Sequence, residues 1–471
     1  MKSAWADEQF GAAELGDVRR TRRLVAMATV AERRPSGKVT VVFERAAERE
    51  GAYDFLENDH VKVEAIAESL FRATAARASR ESAEFAYVAI DGTTLNLTDD
   101  RAKKGFGPIC RRGPKAQGLC VMTAYATGND GVPLGLLAQH FWTRPPTAKV
   151  TRKESTRRNK ALPFEKKEPF HFASVAREAI KRLEGTGIKP WIVIDREGDN
   201  RDILAALSKE ACNFTIRARG KRTVRGGAKD TEATVRAQLS VLPPLCQEVI
   251  QLPRHGGRAA RQVTLELRAH ALTVRLVHIF PQRIDWLPIY AVSIRETTAS
   301  AGNNEPLDWI LYTNVPVNSA DDARAVLASY CARWRIEEFH RTWKSGECNV
   351  EDTQLRSVEA VTKWVTVLGA VAARTERLKY LARKKPDAPA SLELTADEIE
   401  ALKLDQIART PTKPPNLSVV PSIADATRWL AELGGWIPAN GHPGSITIGR
   451  GLERLRYIVK GVEISRRASR T

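Results

Sequence analysis

Apolar residues recur along this chain in two patterns. Nearly continuous runs at 85–90 and 190–194 have the length and composition of strands buried on both faces. Residues 118–126, 132–141 and 213–217 read as further strands, the first two joined by a turn at 128–131. Segments with apolar residues every three or four positions read as helices. The first runs through RRTRRLVAMATVAERR with Asp17 as its N-cap, and two short ones follow at about 43–49 and 52–56. Others are expected at 63–80, 170–183 and 200–210. Between Arg217 and Trp309 the pattern alternates, in QEVIQLP, RQVTLELRAHALTVRL and PIYAVSIRE, as in antiparallel strands. WILYTNV adds one more strand, and a helix over 319–345 starts near Ser319. Helix continues to about Arg383, prolines from 386 to 421 mark looser segments, and a last helix falls near 452–462.

The stretch from Tyr330 to Lys344, YCARWRIEEFHRTWK, carries more than an amphipathic helix needs. At about 100° per residue, Tyr330, Arg333, Glu337, Arg341 and Lys344 share one arc, and Ile336, Phe339 and Trp343 share the opposite one. One face thus sets a single carboxylate among cations and a phenol. A solvated face with i,i+4 pairs, such as Arg333 with Glu337, would look the same from composition alone. Two aspartates end the apolar runs: Asp91 after 85–90 and Asp195 after 190–194. A carboxylate at the end of a buried strand is costly unless hydrogen-bonded or bound to metal. Asp91 stands before Gly92 and could equally be a turn residue.

Composition narrows the partners. The chain has 471 residues, enough for two to four domains, and 43% are hydrophobic, so it is globular. A net charge of +18, spread along the whole chain, implies a polyanion, most simply nucleic acid. Arg19, Arg20, Arg22 and Arg23 load the first turns of a helix, against its dipole, as if a phosphate were awaited. Two basic loops, at 103–115 and 144–167, suit contact with a nucleic-acid backbone. Six cysteines without a C-x2-C pair or a histidine cluster read as free thiols. No apolar run is long enough to span a membrane, and MKSAWADEQF lacks a signal-peptide core, so a cytoplasmic protein is expected.

The spacing Y-x2-R-x3-E-x6-K in the 330–344 stretch resembles the signature of the insertion-sequence-four family of transposases. LGDVRRTRRL, EGAY, DGTT, DREGD and LGGW follow the family's order, with an extra Gly92 after Asp91. The resemblance implies an α/β protein with an RNase H-like catalytic core, a β-rich insertion, an N-terminal helical DNA-binding domain and a C-terminal helical domain. The expected boundaries are 1–75 for DNA-end binding, 76–375 for catalysis with the insertion at about 218–308, and 376–471 for dimerisation.

The resemblance also implies chemistry. Asp91, Asp195 and Glu337 would hold two Mg2+ ions, or Mn2+, for hydrolysis and strand transfer, with Glu338 a competing third acid excluded by spacing to Arg333 and Lys344. Tyr330, Arg333, Arg341, Lys344, Arg217 and Arg196 would contact DNA, as would Arg19, Arg20, Arg22 and Arg23. Glu197 and Asp199 would support them. Trp309, and less directly Trp334, would stack on a base flipped from the DNA end, in a reaction passing through a hairpin. The expected partners are transposon ends, target DNA and a second copy of the chain in a synaptic homodimer, in the cytoplasm of a bacterium and on its nucleoid. A nuclease that cuts without joining, and a DNA-binding inhibitor without chemistry, are the rival readings.

Overall fold

The computed structural model describes residues 4–99, 104–109, 116–145, 151, 154, 157, 161–225, 233–252, 260–278, 283–297, 306–410 and 415–468. Most of the two basic loops and Cys110 therefore lie outside the described residues. In chain order the strands are β1 (Phe85–Asn96), β2 (Gly107–Pro108), β3 (Gln117–Gly128), β4 (Pro133–Trp142), β5 (Lys189–Ile194) and β6 (Asn213–Ala218). They continue with β7 (Thr223–Arg225), β8 (Ala233–Thr234), β9 (Cys246–Leu252), β10 (Arg261–His278), β11 (Arg283–Glu296) and β12 (Asp308–Thr313). The architecture is mixed α/β. The chain forms two compact units: a sheet unit of residues 84–91 and 148–334, and a helical unit of residues 1–83, 92–147 and 335–471.

In the sheet unit, β1, β5 and β6 are parallel, with Ile90 opposite Ile194 and Ile194 opposite Ile216. Parallel neighbours need a crossover, and the helices Phe170–Leu183 and Arg201–Leu207 lie in the intervening sequence. Antiparallel strands continue the sheet as β12, β11, β10, β7 and β8, with β9 on β10. Of these, β9, β10 and β11 are the segments whose sequence pattern alternates. The helix Ala320–Ala332, opened by a Ser319–Asp322 capping box, sets Val326, Leu327 and Tyr330 into a core with Tyr87, Trp191, Val193, Val292 and Leu311. Thr215 at the centre of that face accepts from the Trp191 indole at 2.9 Å and from Ser329 at 2.8 Å, so the buried polar atoms are satisfied.

The helical unit is organised on the helix Val358–Lys384, whose residues 360–381 are all buried. A stretch so enclosed must pair its charges. Arg374 meets Glu32 at 3.3 Å and Glu398 at 3.4 Å, and Arg377 meets Glu81 at 2.8 Å. The hairpin of β3 and β4 belongs to this unit, as do residues 92–96 of β1, and Leu97 donates to Gln117 at 2.9 Å. The C-terminal helices Ile423–Leu433 and Ser445–Ala468 share one apolar cluster with Leu378 and Leu381 of the long helix.

Two elements differ from the expectation, and one alternative is resolved. The two short helices at 43–49 and 52–56 are one, Ala46–Glu57, which runs through Gly51, and the Arg23 guanidinium lies against that glycine. The alternative of a turn at Asp91 and Gly92 is not what forms: strand β1 runs through both to Asn96, as EFAYVAIDGTTLNL reads. The helix over 319–345 is two, Ala320–Ala332 and Trp334–Lys344. At the junction the Arg333 N–H bonds the Tyr330 carbonyl three residues back, a tightened turn that stops the α-ladder. Among the described residues, cysteines 120, 212, 246, 331 and 348 are free thiols, and no helix is long and apolar enough to cross a membrane.

Candidate functional site

Asp91 and Asp195 each follow one of the register partners Ile90 and Ile194 on neighbouring parallel strands, Asp195 at the end of its strand and Asp91 within the longer β1. The two residues therefore stand next to each other across the strands. Asp195 also opens the turn Arg196–Gly198, accepting from the Glu197 N–H at 2.8 Å. Arg333 reaches Asp91 at 3.9 Å.

A cationic and aromatic group stands beside them in the same unit. Tyr330 lies edge-on to Trp309, with ring centroids 5.2 Å apart. The Arg217 guanidinium sits 5.5 Å from the Trp309 ring, and that of Arg333 sits 5.9 Å from the Tyr330 ring. Burial raises the Tyr330 phenol, while Arg333 and an Arg217 hydrogen bond oppose it and Asp195 adds to it. The tyrosine thus stays a neutral hydrogen-bonding group within reach of both cations and the carboxylate. Arg217 Nε is buried without a protein partner, an arrangement suited to an incoming anion. Burial also raises the Glu197 carboxyl, with Asp195 and Glu168 adding repulsion.

Arg196 is exposed next to Asp195, and Trp334 is half-buried at the junction of the two helices. Asp199 faces inward instead: it accepts from Arg222 at 2.6 Å and from the Arg219 N–H at 2.9 Å, fixing the turn after β6. Nothing in the spacing of DREGDN pointed to Arg222.

Glu337, Arg341 and Lys344 belong to the helical unit. The opposite face of their helix is core, as its periodicity implied: Ile336, Phe339 and Trp343 are fully buried, and Phe339 stacks on Tyr125 at 4.8 Å. Lys344 contacts Thr93 of β1 at 3.2 Å and Glu351 at 3.7 Å. Glu338 is taken up elsewhere. It accepts from Tyr380 at 2.5 Å, Lys379 at 3.2 Å and Arg335 at 3.4 Å, which outweigh its burial and hold its carboxyl below the usual range. Among the described residues, no three His, Cys, Asp or Glu side chains are gathered as a metal cage.

Of the four N-terminal arginines, Arg19 pairs with Asp17 at 3.0 Å, which offsets its clash with the helix dipole, and Arg20 donates to the Leu15 carbonyl at 3.0 Å. Arg22 and Arg23 are exposed.

Two family models match the chain. Residues 2–61 match transposase DNA-binding, and residues 171–373 match the transposase DDE domain. The four N-terminal arginines fall in the first match. Asp195, Arg217, Trp309, Tyr330, Arg333, Glu337 and Lys344 fall in the second, while Asp91 precedes it.

Proposed function

Because the chain carries the DNA-binding and DDE domains of a transposase, and so a DNA-cutting enzyme's domain, we propose that it excises a transposable element by cut-and-paste chemistry. One observation carries the reading: Asp91 and Asp195 lie side by side at in-register parallel strands, with Arg217, Tyr330 and Arg333 beside them. Asp91, Asp195 and Glu337 act as the catalytic acids, and the parallel strands β1, β5 and β6 support reading the core as RNase H-like.

The donors suit a hard divalent cation, being carboxylate oxygens without thiol or imidazole. Asp91, Asp195 and Glu337 would hold two Mg2+ ions, or Mn2+. When bound, such ions activate the attacking oxygen and stabilise the leaving one. The chain's own groups do the rest. Arg333 and Arg217 hold phosphate oxygens next to the cleaved bond, and Arg does so bidentately. Tyr330 donates its phenolic hydrogen to a phosphate oxygen. Lys344 and Arg341 neutralise the strand further along the helix. Trp309 stacks on a base flipped from the end, and this opens the route to a hairpin. Two copies of the chain bring two ends together, and the freed 3′-OH then attacks target DNA.

Full-length protein incubated with candidate inverted-repeat ends and Mg2+ should give hairpin products on a denaturing gel. Asp195→Ala should abolish cutting while end binding persists in a gel shift; undiminished cutting would refute the assignment. A pre-cleaved end that never yields a joined product would instead favour a nuclease.

A further inference from the structure

Resting on that reading, we propose that Arg222 is a positioning residue for Asp195. It stands between β6 and β7 and clamps the end of the turn that Asp195 opens. Its Nε donates to the Asp199 carboxylate at 2.6 Å, and its Nη2 donates to the Asp199 carbonyl at 2.9 Å. The Arg219 N–H donates to the other carboxylate oxygen at 2.9 Å. Asp199 is thus held by side chain and backbone against one short stretch, 219–222, and its side chain is only 4% exposed.

That stretch is itself fixed by what surrounds it. The Arg222 carbonyl accepts from the Val235 N–H at 3.1 Å, and the Gly220 carbonyl accepts from the Arg236 N–H at 3.2 Å. Val224, two residues on, pairs with Val274 of β10. A second tie reaches the same strand: Arg201, the first residue of the next helix, donates to the Val277 carbonyl at 2.9 Å. At its other end the turn continues directly from β5. There Gly198 lies so close that a Cβ would stand 2.7 Å from an Ile194 methyl and 3.0 Å from one of Ile216. The chain from 195 to 201 is therefore held at its start by the parallel strands and at its end by residues next to β7 and on β10. The Asp195 carboxylate accepts from the Glu197 N–H inside that turn, so whatever moves the turn moves the carboxylate.

A nearly buried ion pair is a poor choice if only stability is needed, since apolar side chains of similar volume often do as well. A guanidinium supplies what they lack, two donors at a fixed angle, here on the side chain and backbone of one residue. Mg2+ tolerates little departure from octahedral geometry, so a carboxylate that holds it must not drift. The antiparallel strands thereby have a task in the reaction, which is to keep Asp195 in place.

The test uses full-length protein. Arg222→Lys keeps the charge but cannot supply both donors. Without metal or DNA, the amides of residues 196–200 should exchange about tenfold faster or more, while those of β6 stay unchanged. Mn2+ titrated into the free protein and followed by electron spin resonance should bind about tenfold to a hundredfold more weakly. Cutting should fall by a similar factor at low Mg2+ and recover towards wild type at high Mg2+. Arg222→Met combined with Asp199→Asn leaves no buried charge unpaired at this pair and should lose as much Mn2+ affinity, which decides the matter if Arg222→Lys folds poorly. Arg261→Met is the control: it breaks another ion pair of the same unit, with the buried Glu296, and should lower melting while moving neither readout. Unchanged exchange at 196–200 or unchanged Mn2+ affinity would overturn the proposal, as would an equal loss in Arg261→Met. Mn2+ binding that survives Asp195→Ala would defeat the reading of Asp195 as a metal ligand, and the exchange result would still decide whether Arg222 holds the turn.

Discussion

Glu347 should make this protein less stable as the solution becomes alkaline. It lies three residues past Lys344, and neither of its carboxylate oxygens meets solvent or a partner in good hydrogen-bond geometry. The helix Ser445–Ala468 crosses it at Gly449, where a Cβ would collide with the Glu347 carboxylate carbon. Burial, with repulsion from Glu376 and Glu453, pushes its pKa up to about 8, against weaker opposition from Thr375 and Arg374. The folded value lies above the unfolded one, so the stability linked to the neutral form is complete below about 4.5 and is lost as pH rises through about 8. At about 1.4 kcal/mol per pH unit, that interval amounts to about 5 kcal/mol, an upper limit because the site can relax or admit water. Glu347→Gln keeps the shape and removes the titration. Urea unfolding of both proteins from pH 5 to pH 9 isolates this group, because every other titration is common to the two. The curves should draw apart steadily between about pH 5 and pH 8 and then run parallel, with the glutamine variant the more stable by several kcal/mol near pH 9. Parallel curves over the whole range would refute the argument.

Arg374→Met should destabilise the fold by about 3–5 kcal/mol in urea, because the buried Glu32 and Glu398 carboxylates both lose this guanidinium. Adding Glu32→Gln and Glu398→Gln should recover most of the loss, and no recovery would mean that the guanidinium acts through packing. Trp309→Ala should remove a stacking surface worth about 1–3 kcal/mol. It should therefore slow hairpin formation by roughly fivefold to a hundredfold while sparing the first nick; an equal loss in both steps would assign Trp309 to the fold instead.

Local chemistry in the sequence was enough to place many elements. Asp17 caps its helix, Ser319 opens another with Asp322 completing the box, and Ile336, Phe339 and Trp343 turn inward because their spacing matches the helical repeat. The apolar run 190–194 became a central parallel strand with Asp195 at its end. Each of these depends on groups within a few residues of one another. Where a neighbour's identity mattered, the pattern fell short. Gly51 did not break the helix Ala46–Glu57, and Arg23 from another helix lies over it. The 319–345 pattern is periodic throughout, yet it forms two helices that meet at Arg333, and Tyr330 and Glu337 fall in different compact units.

Residue types and spacing alone determined the mixed α/β class and the cationic character that calls for nucleic acid. Only the tertiary structure showed that Glu338 is held by Lys379 and Tyr380, from another helix. It alone joined Lys363 and Trp364 to carbonyls some three hundred residues earlier. Periodicity reports which face of an element is apolar, since that is a property of one segment. It carries no information on which other face will cover it, since that depends on the burial of the whole chain at once.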